Sequence, residues 1–130
     1  MIGKHIIVDM FDISSEKFIN INKNDSCIEK WNSFVKECFT EANISLLSTS
    51  WHNFDNNGAF TVLYLLAESH LSIHTWPEFN YIALDVFTCG NSNTKLIVDK
   101  IITYFEPKYI QSHNLERGQK NEQIFFTSLQ

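Results

Sequence analysis

The stretch HLSIHTWPEFNYIALDVFTC, His70 to Cys89, holds two extended runs separated by Pro77-Glu78-Phe79-Asn80. His70 to Trp76 reads as an extended run, on which the even-spaced His70 and His74 would share a face. Tyr81 to Cys89 is largely apolar on both sides, which predicts a central strand covered on two faces. Pro77 cannot donate to a ladder and ends the first run.

Upstream, Ala59 to Ala67 and Ile44 to Phe54 read as strands joined at Asp55-Asn56-Asn57-Gly58, a hairpin signal. Ser26 with Glu29 fits a capping box, and Ile28, Trp31, Val35, Cys38, Phe39 and Ala42 follow at helical spacing, which predicts a helix from Ser26 to Ala42. Lys4 to Met10 reads as a first strand, and the largely polar Ser14 to Asp25 as a loop. Downstream of Gly90, the positions Leu96, Ile97, Ile101, Ile102 and Phe105 predict a second helix that stops before Pro107. KYIQSHNLERG reads as a last strand before a polar tail, with His113, Glu116 and Arg117 as candidate interface or pocket residues whose preferred reading is solvated.

Runs of strands around two helices predict an α+β two-layer sandwich, a mostly antiparallel sheet with two helices on one face. With 14% aromatic residues, the uncovered face is expected to bury itself against a second sheet, most simply in a homodimer. The chain has 130 residues, 44% apolar and 19% charged, which suits one globular domain over residues 1–130. A net charge of −5 argues against a nucleic-acid partner and suits a small cationic one. Three cysteines without a CxxC pair point away from a disulfide framework or thiolate metal site, and towards the cytoplasm. The apolar run near the N-terminus is interrupted by Asp9 and is too short for a membrane span.

The chemistry-bearing residues crowd between Ala67 and Phe79. Glu68, His70 and His74 share parity on a regular strand, a metal site in outline, yet no further ligand completes a pattern, so no metal is expected. Trp76 and Cys89, taken singly, read as core residues.

Together, however, ESHLSIHTWPE and DVFTCG resemble the hallmark segments of the prokaryotic S-adenosylmethionine decarboxylases, with shorter matches at Gly3-Lys4-His5 and Glu116-Arg117-Gly118. The resemblance implies autocatalytic cleavage between Glu68 and Ser69, giving a β chain of residues 1–68 and an α chain of residues 69–130. The α chain would open with a pyruvoyl cofactor made from Ser69, which forms a Schiff base with a small cationic amine substrate. It assigns His74 as the processing base, Cys89 as the proton donor, Phe54 and Glu78 as substrate contacts and Thr61 as a processing aid. The implied reaction is decarboxylation of S-adenosylmethionine for spermidine synthesis by a homodimer of αβ units. Ornithine or arginine is the alternative substrate, and a non-catalytic dimerising partner the second alternative. Departures from the family pattern, at Asp55–Gly58, Phe79-Asn80 and Ile13, fall mostly where a substrate pocket would be shaped. Ser69 and His74 differ by an odd number, so a bulge or sharp bend is expected between them.

Overall fold

The computed structural model describes residues 2–120. Six strands form one sheet in the order β2-β3-β4-β5-β1-β6, and every pairing is antiparallel. They are β1 (Gly3–Phe11), β2 (Leu46–Asn53), β3 (Phe60–Leu66), β4 (Ser69–Trp76), β5 (Tyr81–Cys89) and β6 (Tyr109–Arg117). Three helices, α1 (Ser15–Asn22), α2 (Asp25–Glu41) and α3 (Thr94–Phe105), complete the two-layer α+β sandwich. The run that reads as central, Tyr81–Cys89, lies between β4 and β1. No helix among the described residues is long and apolar enough to cross a membrane.

The core lies between sheet and helices. Val8 and Met10 of β1, Val62 and Tyr64 of β3, Leu71 and Ile73 of β4 and Leu84 and Val86 of β5 meet Val35 and Phe39 of α2 and Ile97, Ile101 and Phe105 of α3. These positions have period 2 on the strands and 3 to 4 on the helices, as the sequence pattern requires.

Two local expectations are corrected. Ser14 to Asp25 is not a loop, since most of it forms α1, where Phe18, Ile21 and Asn22 are buried. Its Asn-rich sequence has poor helix propensity, so the helix rests on tertiary packing. Phe18 lies against Gly58, where an added Cβ would fall 2.3 Å from the Phe18 Cβ and where φ is +104°. The α2 cap is Asn24 rather than Ser26, its side chain accepting from the Cys27 N–H at 2.9 Å.

The other face of the sheet carries no helix. Leu63, Leu65 and Trp76 are exposed there, beside His5, Asp9, His70, His74, Asp85, Phe87 and Cys89.

Candidate functional site

Ser69 opens β4 directly after a two-residue turn, Ala67-Glu68, and Leu66 pairs with Ser69 across it. Glu68 has φ 58°, left-handed backbone that costs a non-glycine residue about 1–2 kcal/mol. The strain therefore sits on the residue preceding the Glu68-Ser69 bond. The expected bulge between Ser69 and His74 is absent: pairing with β3 runs unbroken from Leu66↔Ser69 to Thr61↔His74, and pairing with β5 from His70↔Phe87 to Trp76↔Tyr81. A bulge inside β4 would break two ladders at once, whereas the tight turn lies outside both.

The parity argument therefore stands and separates the residues. Ser69 is 8% exposed on the helix side, and its Oγ accepts from the Cys89 N–H at 3.2 Å. His74 lies on the uncovered face at the far end of β4, its Nδ1 3.0 Å from Thr61 Oγ1. Five residues of strand between Ser69 and His74 correspond to about 17 Å.

Two clusters result, at opposite ends of the sheet. At the Ser69 end, the Cys89 thiol lies 3.6 Å from Glu68 Oε2 and 3.9 Å from the Ala67 carbonyl, beside the Glu68-Ser69 bond. At the His74 end, Phe54, Asp55, Ala59, Thr61, His74, Thr75, Trp76 and Glu78 line an open cavity of about 550 Å³. Phe54 is 68% exposed and meets His52 edge to face at 4.8 Å. Trp76 is not a core residue, being 39% exposed and stacked on Tyr81 at 5.4 Å. The Tyr81 hydroxyl donates to Asp9 Oδ1 at 2.5 Å, and burial, reinforced by Asp9, pushes its phenol up to about 12. Sequence-assigned residues thus fall into two groups, Glu68, Ser69 and Cys89 in one and Phe54, Thr61, His74 and Glu78 in the other.

A third constellation was missed. His5, His70 and Asp85 bring one polar atom each within 4.8 Å of one another. Asp85 Oδ1 lies 2.5 Å from His5 Nε2 and 3.3 Å from His70 Nε2, and Arg117 Nη1 donates to His5 Nδ1 at 3.0 Å. Arg can only donate, so His5 accepts at Nδ1 and its Nε2 must carry the proton it gives to Asp85. Such a nitrogen has no lone pair for a metal, and the group is a hydrogen-bonded chain. Arg117 is exposed yet engaged: it also lies over the Phe87 ring at 5.5 Å. Asp85 on an apolar strand was the available signal; the pairings of β1 with β5 and β6 were not readable.

The thiols differ. Burial pushes Cys38 up, opposed by Lys100, which leaves it inert, while Cys89 is only half-buried.

Fold and site together define an antiparallel α+β sandwich with a strained Glu-Ser turn facing a cysteine. A sequence model of the S-adenosylmethionine decarboxylase family matches residues 4–118. The S-adenosylmethionine decarboxylase proenzymes of Sulfurihydrogenibium sp. and Aquifex aeolicus are each 38% identical over 118 residues, covering 90% of this chain and 83% and 82% of theirs. The crystal structure of the adenosylmethionine decarboxylase from Aquifex aeolicus superposes with a TM-score of 0.74 at 31% identity, covering 96% of this chain and 98% of that one. A Trypanosoma brucei AdoMetDC monomer shares the fold, with TM-score 0.59 at 11% identity, over 84% of this chain and 44% of its own. The chain belongs to the S-adenosylmethionine decarboxylase family.

Proposed function

We propose that this chain is a self-processing cytoplasmic decarboxylase of S-adenosylmethionine, serving spermidine synthesis, with its carbonyl cofactor made from Ser69. The observation that carries the reading is the Cys89 thiol beside the strained Glu68-Ser69 turn. Ser69 fits the group required: it has a hydroxyl, adjoins the strained residue and is held by the Cys89 N–H. Attack of that hydroxyl on the Glu68 carbonyl transfers the acyl group from nitrogen to oxygen, and loss of the Ser69 α-proton then breaks the ester. The products are residues 1–68, ending in the Glu68 carboxylate, and residues 69–130, whose first residue is left as dehydroalanine; its imine tautomer takes up water and releases ammonia to leave the ketone. A pyruvoyl group supplies a ketone that condenses with the substrate amine and accepts the electrons of the carbon–carboxylate bond. Cys89 gives a proton to the α-carbon of the product.

The base for processing is His74, oriented by Thr61. At about 17 Å along the strand it cannot serve the Ser69 of its own chain. A second copy, laid face to face across a two-fold axis, brings the His74 end of one sheet over the Ser69 end of the other. The exposed Leu63, Leu65 and Trp76 support burial of that face. Phe54 and Glu78 share the His74 cavity, so the ring of Phe54 would stack on adenine and Glu78 accept from the ribose hydroxyls of substrate bound to the other copy.

Intact-mass analysis tests the cleavage: the wild-type chain is expected as two fragments and Ser69→Ala as one. Co-expression of Ser69→Ala with His74→Ala tests the sharing. One composite site is then complete, so the His74→Ala chain should be cut in the mixture and not alone. Carbon dioxide release from S-adenosylmethionine, ornithine and arginine tests the substrate, and a preference for either amino acid would overturn it.

A further inference from the structure

The open cavity at the His74 end carries one more acidic side chain than the steps above use. Thr61 is bonded to His74, the Thr75 hydroxyl is committed to Phe60 and Gly58, Glu78 is given to the ribose hydroxyls, and the Trp76 indole can only donate. That leaves Asp55. Its Oδ1 accepts from the Asn57 N–H at 2.7 Å and the Ala59 N–H at 3.1 Å, and its backbone carbonyl accepts from Asn22 Nδ2 at 2.9 Å. Oδ2 takes no hydrogen bond among the described residues, so the carboxylate is anchored by one oxygen and offers the other. Phe54 and Asp55 both donate their N–H groups to the Ala59 carbonyl, at 2.9 and 3.4 Å, which fixes ring and carboxylate to one point of the turn. Asp55–Gly58 is also where the sequence departs from the family pattern, and the resemblance gives Asp55 no role.

Resting on the decarboxylase reading, we infer that Asp55 is a specificity-determining residue, its free oxygen accepting from the 6-amino group of the substrate's adenine. A base stacked on Phe54, with its ribose at Glu78, turns its six-membered ring away from Glu78. The 6-amino group carries the only N–H bonds of that ring, and a carboxylate can only accept. A 6-oxo base would set an oxygen against Oδ2, two acceptors with no proton between them. Its N1–H lies further round the ring, out of register with a residue held at three points. A site built to hydrogen-bond one group discriminates against the analogue that lacks it.

The test compares kcat/KM for S-adenosylmethionine and S-inosylmethionine, its 6-oxo analogue, in the cleaved wild-type protein and in Asp55→Asn. Asparagine keeps an oxygen for the Asn57 and Ala59 N–H groups, so the turn is retained, and it puts an amide donor where Oδ2 was. Both substrates carry the same sulfonium, so the loss of a negative charge cancels in the ratio. Wild type should favour the adenosyl substrate at least about tenfold, and Asp55→Asn should lower that preference at least about tenfold. A wild-type protein that accepts both equally, or a ratio that the substitution leaves unchanged, would overturn the role of Asp55. If the cleaved wild-type protein releases no carbon dioxide from either substrate, the reaction reading fails instead. Equilibrium dialysis of 5′-methylthioadenosine against 5′-methylthioinosine then still decides Asp55: the wild-type preference should fall in Asp55→Asn, and an unchanged one would refute it.

Discussion

Asn22 is fully buried in α1, and its amide ties that helix to the turn between β2 and β3. Its Nδ2 donates to the Asp55 carbonyl at 2.9 Å and to Asn53 Oδ1 at 3.2 Å, while its Oδ1 accepts from the buried Gly58 N–H at 2.8 Å. Asn22→Ala removes all three. The Gly58 N–H is left buried without a partner, about 1–3 kcal/mol, and the bond to Asp55, whose side of the turn water can reach, adds about 1 kcal/mol. A total of about 2–4 kcal/mol, at a urea slope of about 1.5 kcal/mol per molar, lowers the unfolding midpoint by about 1.3–2.7 M. Fluorescence of Trp31, Trp51 and Trp76 during urea unfolding reads it. A loss below about 1 kcal/mol would mean that water satisfies Gly58 and that α1 does not hold the turn. Because Phe54 and Asp55 line the cavity, the Michaelis constant for S-adenosylmethionine should rise in the same variant.

Three further outcomes are expected. The Thr75 hydroxyl accepts from Phe60 N–H at 2.8 Å and donates to the Gly58 carbonyl at 2.6 Å, so Thr75→Val should cost about 2 kcal/mol and roughly 6 °C of melting temperature in calorimetry. In Gly3→Ala the new Cβ meets the Thr88 carbonyl at 2.6 Å and the Phe87 ring at 2.7 Å. Backbone cannot yield as a side-chain end can, so a loss of about 1–3 kcal/mol is expected, read as a lower urea midpoint. Tyr81 has its phenol raised, so its contribution to stability is complete below about pH 10 and is lost as pH climbs towards about 12. Wild-type stability should fall more steeply than that of Tyr81→Phe across that window, and parallel urea curves would refute the raised phenol, to which burial contributes most and Asp9 next.

The strands and the longer helices were legible because their apolar periods are strong: β5 has the bounds and the central place read for it, though one of its two faces is left uncovered, and α3 stopped before Pro107. α1 was not, since Phe18 and Ile21 are two apolar positions among Ser, Glu, Lys and Asn, and their burial depends on Gly58 across the fold. The parity of Ser69 and His74 was read correctly, but the bend drawn from it assumed that both serve one site in one chain. The chain from Arg117 to His70 was out of reach, because it joins four strands whose register is set by long-range pairing.

The proposed scission after Glu68 would have a topological consequence. The first fragment carries β1, β2 and β3, the second β4, β5 and β6, yet β1 lies between β5 and β6. The pieces are interleaved, so neither can be withdrawn without stripping ladders on both sides of β1 as well as the β3–β4 seam. A fold that assembles unimolecularly would become, once cut, a heterodimer that must find its partner to refold. Its unfolding midpoint should then depend on protein concentration, whereas this seam adds no such dependence to uncut Ser69→Ala.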